Sequence, residues 1–192
     1  MRKLLILLAA AAAATGAHAA KPAAAVFAGG CFWCTEADFD KMPGVLSTTS
    51  GYIGGKLRNP TYEQVSAGGT GHIEAVRVVY DPAKIGYADL AARFVRTIDP
   101  TDAGGSFCDR GYGYRSAFFV ANAQQRRIAE AVNARAAAAL GKPVATLVLP
   151  AATFYPAEGY HQDYYKKNPI RYRFYRFNCG RDARLKELWG GK

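Results

Sequence analysis

The chain has 192 residues, 50% of them hydrophobic, with 25 Lys and Arg against 15 Asp and Glu, a formal net charge of +10, and four cysteines. That length and apolar content fit one domain with a sizeable core and exclude a small scaffold held together by disulfides. The basic residues are dispersed apart from Lys166, Lys167, Arg171, Arg173 and Arg176, so they read as a solvated surface and not as a nucleic-acid face.

Residues 1–20, "MRKLLILLAAAAAATGAHAA", join a basic start to an apolar run and the small-residue pattern Ala17-His18-Ala19. This is the layout of a secretory signal peptide, with cleavage expected after Ala19 or Ala20. The run is too short and too alanine-rich for a membrane span, and no later stretch approaches spanning length. The expected mature protein is therefore a single exported domain over residues 21–192, monomeric and without a membrane span. Export places the four cysteines in an oxidising compartment.

"AAAVFAGG" reads as a short buried strand ending at glycines, and "CFWCTEADFDKM" as a helix stopped by Pro43-Gly44. "VLSTTSGYIGG" alternates and reads as a strand. "KLRNPTYEQVSAGGTGH" is a long loop with one short helical turn, a length that in compact domains often marks function. "IEAVRVVYDP" is a strand in which Ile73, Ala75, Arg77 and Val79 alternate with Glu74, Val76, Val78 and Tyr80. "GYADLAARFVRTID" is an amphipathic helix with Leu90, Phe94 and Ile98 on one stripe. A second glycine-rich loop, "PTDAGGSFCDRGYGYR", leads into the strand "SAFFVAN". The longest helix, "AQQRRIAEAVNARAAAAL", ends at Gly141, and "VATLVLPA" is a further strand. The tyrosine-rich remainder reads as short helices and a wrapping tail. The order strand, helix, strand, strand, helix, strand is the ferredoxin-like split pattern, an α+β two-layer sandwich with helices on one face, extended here by a helix, a strand and a long C-terminal tail.

Several residues stand out chemically. Cys31 follows a strand and two glycines and opens a helix, where unpaired amides and the helix dipole favour a thiolate. Cys34 lies one helical turn on. The Cys-x-x-C spacing encloses too little chain to stabilise the fold by loop entropy, so reactive thiols are the better reading. The same spacing serves zinc sites, but zinc needs two further ligands, and His72, His161, Cys108 and Cys179 offer none in a paired spacing. Phe32 and Trp33 between the cysteines suit a pocket for a methyl group on sulfur, and equally suit a core. Glu74 in an apolar strand, taken alone, faces solvent; the alternative is a pocket that raises its pKa and makes it a proton donor. Tyr62 and Tyr114 occupy Pro- and Gly-rich loops from which a phenol can hold a substrate oxygen. Asp109 can orient neighbours or cap a turn. His161 is read as structural and Cys108 as a bystander.

Read together, the segments "GGCFWC", "SGYIGG", "NPTYEQV", "GHIEAV", "IDPTDAGG", "DRGYGYRSA", "TFYPAEGYHQDYYKKNP" and "GRDARLKELWG" resemble the peptide methionine sulfoxide reductases of the A type over nearly the whole mature chain, from about Val26 to Gly190. The resemblance implies Cys31 as nucleophile and Phe32 and Trp33 as the wall for the substrate's S-methyl group. It implies Glu74 as the acid that protonates the sulfoxide oxygen, Tyr62 and Tyr114 as donors to that oxygen, and Asp109 in the supporting network. It implies action on the S epimer, in proteins and in free methionine sulfoxide, with no metal or organic cofactor. A cysteine sulfenic acid forms and is resolved by a second thiol. Cys34 is favoured for that step, with Cys179 as second resolver or relay. An external dithiol then resets the enzyme, thioredoxin for cytosolic members and a thioredoxin-like partner for an exported one. The competing readings are a general thiol–disulfide oxidoreductase using Cys31 and Cys34, and a basic module that binds anionic polymers. An exported bacterial chain of this kind is expected in the periplasm.

Overall fold

The structure, a computed structural model, describes residues 21–190. The expected leader, residues 1–20, lies outside the described residues. In chain order the elements are β1 (Ala23–Gly29), α1 (Phe32–Phe39), β2 (Val45–Ile53), α2 (Tyr62–Ser66), β3 (Ile73–Tyr80), α3 (Tyr87–Val95), the short pair β4 (Gly105–Ser106) and β5 (Asp109–Arg110), a 3-10 turn (Tyr112–Tyr114), β6 (Ser116–Val120), α4 (Ala123–Leu140), β7 (Leu147–Pro150), β8 (Phe154–Pro156), α5 (Tyr164–Lys167), α6 (Pro169–Asn178) and α7 (Arg181–Trp189).

Six strands form one sheet in the order β7-β6-β1-β3-β2-β8. The central four are antiparallel and run β6-β1-β3-β2, the split pattern anticipated from element order. The α4 helix carries the chain from β6 to β7, which pairs parallel at one edge. Asn122 caps the start of α4 through the amide of Gln125, and Gly141 closes it in the left-handed conformation.

Phe32 and Phe39 of α1, Leu90 and Phe94 of α3, and Ala129, Val132 and Ala136 of α4 share one buried cluster with Phe27, Val76, Val78 and Phe118 of the sheet. The helices therefore cover one face. The other face holds a smaller cluster of Ala28, Ile53, Ile73, Ala75, Ala117 and Phe119. Alternation along β3 sends Val76, Val78 and Tyr80 to the helical side, and Glu74 shares their phase.

The C-terminal segment forms the expected short helices and adds an element that was not expected. It contributes an edge strand, β8, paired with β2 through Tyr52↔Tyr155 and Gly51↔Pro156. Three residues are too few to show a period in sequence, and the pairing depends on Gly51, where a Cβ would strike the Tyr155 carbonyl oxygen. It then forms three helices anchored by Arg181. That buried side chain donates to the carbonyls of Gly29 (3.2 Å) and Thr97 (2.8 Å) and lies over the Phe107 ring.

Candidate active site

The site begins where β1 hands over to α1. Gly30 at φ +82° turns the chain and leaves Cys31 as the N-cap of α1 without a side-chain cap of its own. The first amide of the helix, Phe32 N–H, is satisfied from across the sheet by Glu74 Oε2 at 3.0 Å. Glu74 is thus buried against the helix start and does not face solvent, a correction to the reading of that residue alone. Its β-strand phase, opposite Tyr52 of β2, fixes this. Burial pushes its pKa up to about 8, against the pull of the Phe32 amide. At neutral pH it is a carboxylic acid with one oxygen occupied by Phe32 and the other left to carry the proton.

Cys31 and Cys34 are free, buried thiols. Cys31 does not ionise readily, contrary to the expectation from its place at a helix start. Burial, the hydrogen bond it gives to Cys34 and the nearby Glu74 hold its pKa well up. Removal from water outweighs the dipole of a two-turn helix. The same hydrogen bond, helped by Arg181 and Arg176, brings Cys34 down to about 7. The two sulfurs thus act as a pair sharing a proton.

Tyr62, first residue of α2, is positioned by its own sequence. Thr61 and Gln64 form a capping box, and Glu158 accepts the Tyr62 amide at 2.8 Å while also taking the Tyr52 hydroxyl at 2.9 Å. Tyr114 closes the 3-10 turn, and its hydroxyl meets that of Tyr62. Burial pushes both phenols up, Tyr62 to about 12, and both sense the charges of Glu74 and Cys31. Both remain hydrogen-bond donors throughout the physiological range.

The two rings of the Cys-x-x-C segment part company. Phe32 is sealed in the core between Tyr52 and His161. Trp33 is half-buried, stacked on Tyr164 at 3.7 Å between ring centroids and edge-on to Tyr175. Its indole N–H donates to His161 Nδ1 at 3.0 Å. Burial lowers the His161 pKa against the pull of Glu158 and Glu63, and the ring serves as a prop for Trp33 in keeping with the structural reading of that residue.

Asp109 sits in β5 and accepts the hydroxyl of Tyr175. Tyr175 also reaches the Cys31 thiol. Cys108, expected as a bystander, is bonded to Cys179. Cys179, expected as second resolver or relay, is the C-cap of α6 and is tied in this bond. The physical reason is tertiary: the β4–β5 hairpin lies against the end of α6, a juxtaposition across 71 residues of sequence. Among the described residues the group able to offer three metal ligands is Cys108, Asp109 and Cys179, two of which the disulfide occupies.

The structure therefore brings Cys31, Cys34, Phe32, Trp33, Glu74, Tyr62, Tyr114 and Asp109 to one place. Glu158, Tyr52 and Tyr175 were not singled out from sequence. Glu158 lies in the quoted "TFYPAEGYHQDYYKKNP" segment, which was its one signal. Tyr175 is one of twelve tyrosines and carried none.

Comparison with known proteins agrees with this geometry. The family model described as peptide methionine sulfoxide reductase matches residues 23–192. A peptide methionine sulfoxide reductase MsrA 2 of Caulobacter vibrioides is 56% identical over the full length of both chains. Among solved structures, methionine sulfoxide reductase A of Corynebacterium diphtheriae superposes with a TM-score of 0.70 at 36% identity, covering 78% of this chain and 76% of that one. Saccharomyces cerevisiae Mxr1 in complex with Trx2 matches with a TM-score of 0.54 at 23% identity, over 75% of this chain and 85% of that one, a likeness of fold alone.

Proposed function

The chain belongs to the A-type peptide methionine sulfoxide reductases and reduces methionine sulfoxide with thiols, and from that premise we propose how its own residues divide the work. The single observation that carries the assignment is the buried Glu74 carboxyl hydrogen-bonded to the amide that follows Cys31, where burial pushes its pKa up to about 8.

Cys31 is the nucleophile. The phenols of Tyr62 and Tyr114 face its sulfur, and Glu74 lies close enough to act on it. A sulfoxide oxygen is a strong acceptor and a poor leaving group until protonated. With the S-methyl group against Trp33, and Phe32 backing the site from the core, the oxygen accepts from Tyr62 and Tyr114 and takes the Glu74 proton as Cys31 attacks sulfur. The protonated oxygen passes to the Cys31 sulfur as the methionine S–O bond and the transient Cys31–methionine sulfur bond break, so that methionine leaves and Cys31 becomes a sulfenic acid. Cys34, one turn away and held near neutrality, attacks that sulfur. Water leaves and a Cys31–Cys34 disulfide remains. Methionine S-sulfoxide, free and in proteins, is the substrate of this assignment.

A thioredoxin-like dithiol resets the pair, in line with the Mxr1–Trx2 complex. The enzyme works outside the cytoplasm, in the periplasm of a bacterium. The basic-then-apolar leader supports this, as does a disulfide, Cys108–Cys179, outside the reactive pair. A general thiol–disulfide oxidoreductase is not favoured, because disulfide exchange needs neither the buried acid Glu74 nor the paired phenols of Tyr62 and Tyr114 gathered beside Cys31.

The test is methionine release in a single turnover without external thiol. Glu74→Gln keeps the shape and removes the proton. The rate is expected to fall about 10²–10⁴-fold, as for loss of a general acid. Undiminished release would remove Glu74 from the mechanism.

A further inference from the structure

Tyr175 belongs to no motif read from the sequence, yet it is the tyrosine that touches both ends of the site. Its hydroxyl donates to Asp109 Oδ2 and lies within hydrogen-bonding reach of the Cys31 sulfur. Its ring stands edge-on to Trp33, 5.6 Å between centroids, in the cluster that covers Cys34. Two acceptors face one hydroxyl proton, so the hydroxyl serves one at a time. While Cys31 is a thiol that gives its proton to Cys34, Asp109 is the better acceptor. Once the negative charge sits on Cys31, the sulfur is.

The same two residues are joined covalently at one remove. Cys108 immediately precedes Asp109, and Cys179 stands one helical turn after Tyr175 on α6. The bond between them ties the acceptor's hairpin to the donor's helix. Burial raises the Asp109 carboxyl above its ordinary pKa, and the Tyr175 hydrogen bond and the charge of Arg181, two residues beyond Cys179, pull it back.

Resting on the reading of Cys31 as nucleophile, we propose that Tyr175 is a further catalytic residue, a hydroxyl that turns from Asp109 to the Cys31 sulfur when that sulfur becomes the attacking thiolate. In this role the Cys108–Cys179 disulfide is a cross-link that positions the Tyr175–Asp109 pair, and not a member of the turnover dithiols. The step moves one proton: the Cys31 S–H bond breaks, the proton passes to the Cys34 sulfur, and the Tyr175 O–H turns without breaking. The titratable groups facing Cys31 are Cys34 on α1, Tyr62 on α2, Glu74 on β3, Tyr114 on the 3-10 turn and Tyr175 on α6. The last is the one that also hydrogen-bonds Asp109 of the disulfide-bonded hairpin.

Rapid-quench measurement of methionine release in one turnover, on the full chain and across pH, tests this. Tyr175→Phe keeps the ring beside Trp33 and removes the hydroxyl. It is expected to slow release about 10–100-fold at pH 7, the worth of one hydrogen bond to a charged group. Half-saturating substrate should stay within about twofold, since binding is not touched. The limb of the profile that rises as the cysteine pair ionises should move to higher pH. A profile that keeps its position while the rate falls uniformly overturns the role of the hydroxyl. The paired substitution Cys108→Ser with Cys179→Ser is expected to slow release in the same direction and to add nothing in the Tyr175→Phe background. Equal slowing in both backgrounds overturns the cross-link's role. So does intact single-turnover release with loss of reductant-driven cycling, which would assign the disulfide to resetting. If the serine pair does not fold, Tyr175→Phe decides alone. Wild-type protein that releases no methionine, matching a Cys31→Ser blank, would instead refute the nucleophile and the reaction on which this inference rests.

Discussion

Glu74 and the cysteine pair set the chemistry by opposite shifts. Burial lifts Glu74 to about 8, while the Cys31 hydrogen bond lowers Cys34 to about 7. Below about pH 7 the pair holds both protons and no thiolate is available. Above about pH 8 Glu74 loses the proton that the sulfoxide oxygen needs. Single-turnover methionine release should therefore be bell-shaped, with its maximum between these limbs, and Glu74→Gln should abolish the falling limb while lowering the rate. A rate that climbs steadily past pH 9 contradicts the pairing. Glu74 was legible in part: its alternation with Val76, Val78 and Tyr80 gives a core-facing phase, but a lone carboxylate argues for solvent, and only the amide of Phe32 shows what repays its burial. Tyr175 was not legible, because its role depends on a hairpin more than sixty residues away in sequence.

At the scale of elements, the junction of β1 and α1 places Cys31. Gly30 takes φ +82°, and a Cβ there would collide with the Cβ of Ser106, a fully buried residue of β4. Gly30→Ala combines left-handed strain with overpacking against a side chain that cannot swing away. It should cost about 2–5 kcal/mol, or roughly 5–15 °C in Tm for a domain of this size. Thermal unfolding checks this, and a Tm within about 2 °C of wild type contradicts it. The double glycine, the helix after it and the strand before it were all readable from local pattern, as was the short helical turn that forms α2. The β4–β5 hairpin was read as loop, since two-residue strands carry no periodicity. β8 was missed for the same reason, and with it the means by which Glu158 is brought to Tyr52 and Tyr62.

Across the whole molecule, element order was enough to give the sheet. The split pattern β6-β1-β3-β2 follows from two strand–helix–strand units whose hydrophobic phases were plain in sequence. Disulfide pairing was not, because four cysteines admit three connectivities and spacing does not choose among them. The four divide into two pairs: Cys31 and Cys34 as buried thiols at the start of α1, and Cys108 and Cys179 joined between the hairpin and α6. That division makes the assignment testable in one step. Peptide mapping by mass spectrometry, after one equivalent of methionine sulfoxide and without reductant, should find a new Cys31–Cys34 disulfide beside an unchanged Cys108–Cys179 bond and one methionine released per chain. A Cys31–Cys179 or Cys34–Cys179 bridge, or methionine release with Cys31 left as a thiol, would contradict it.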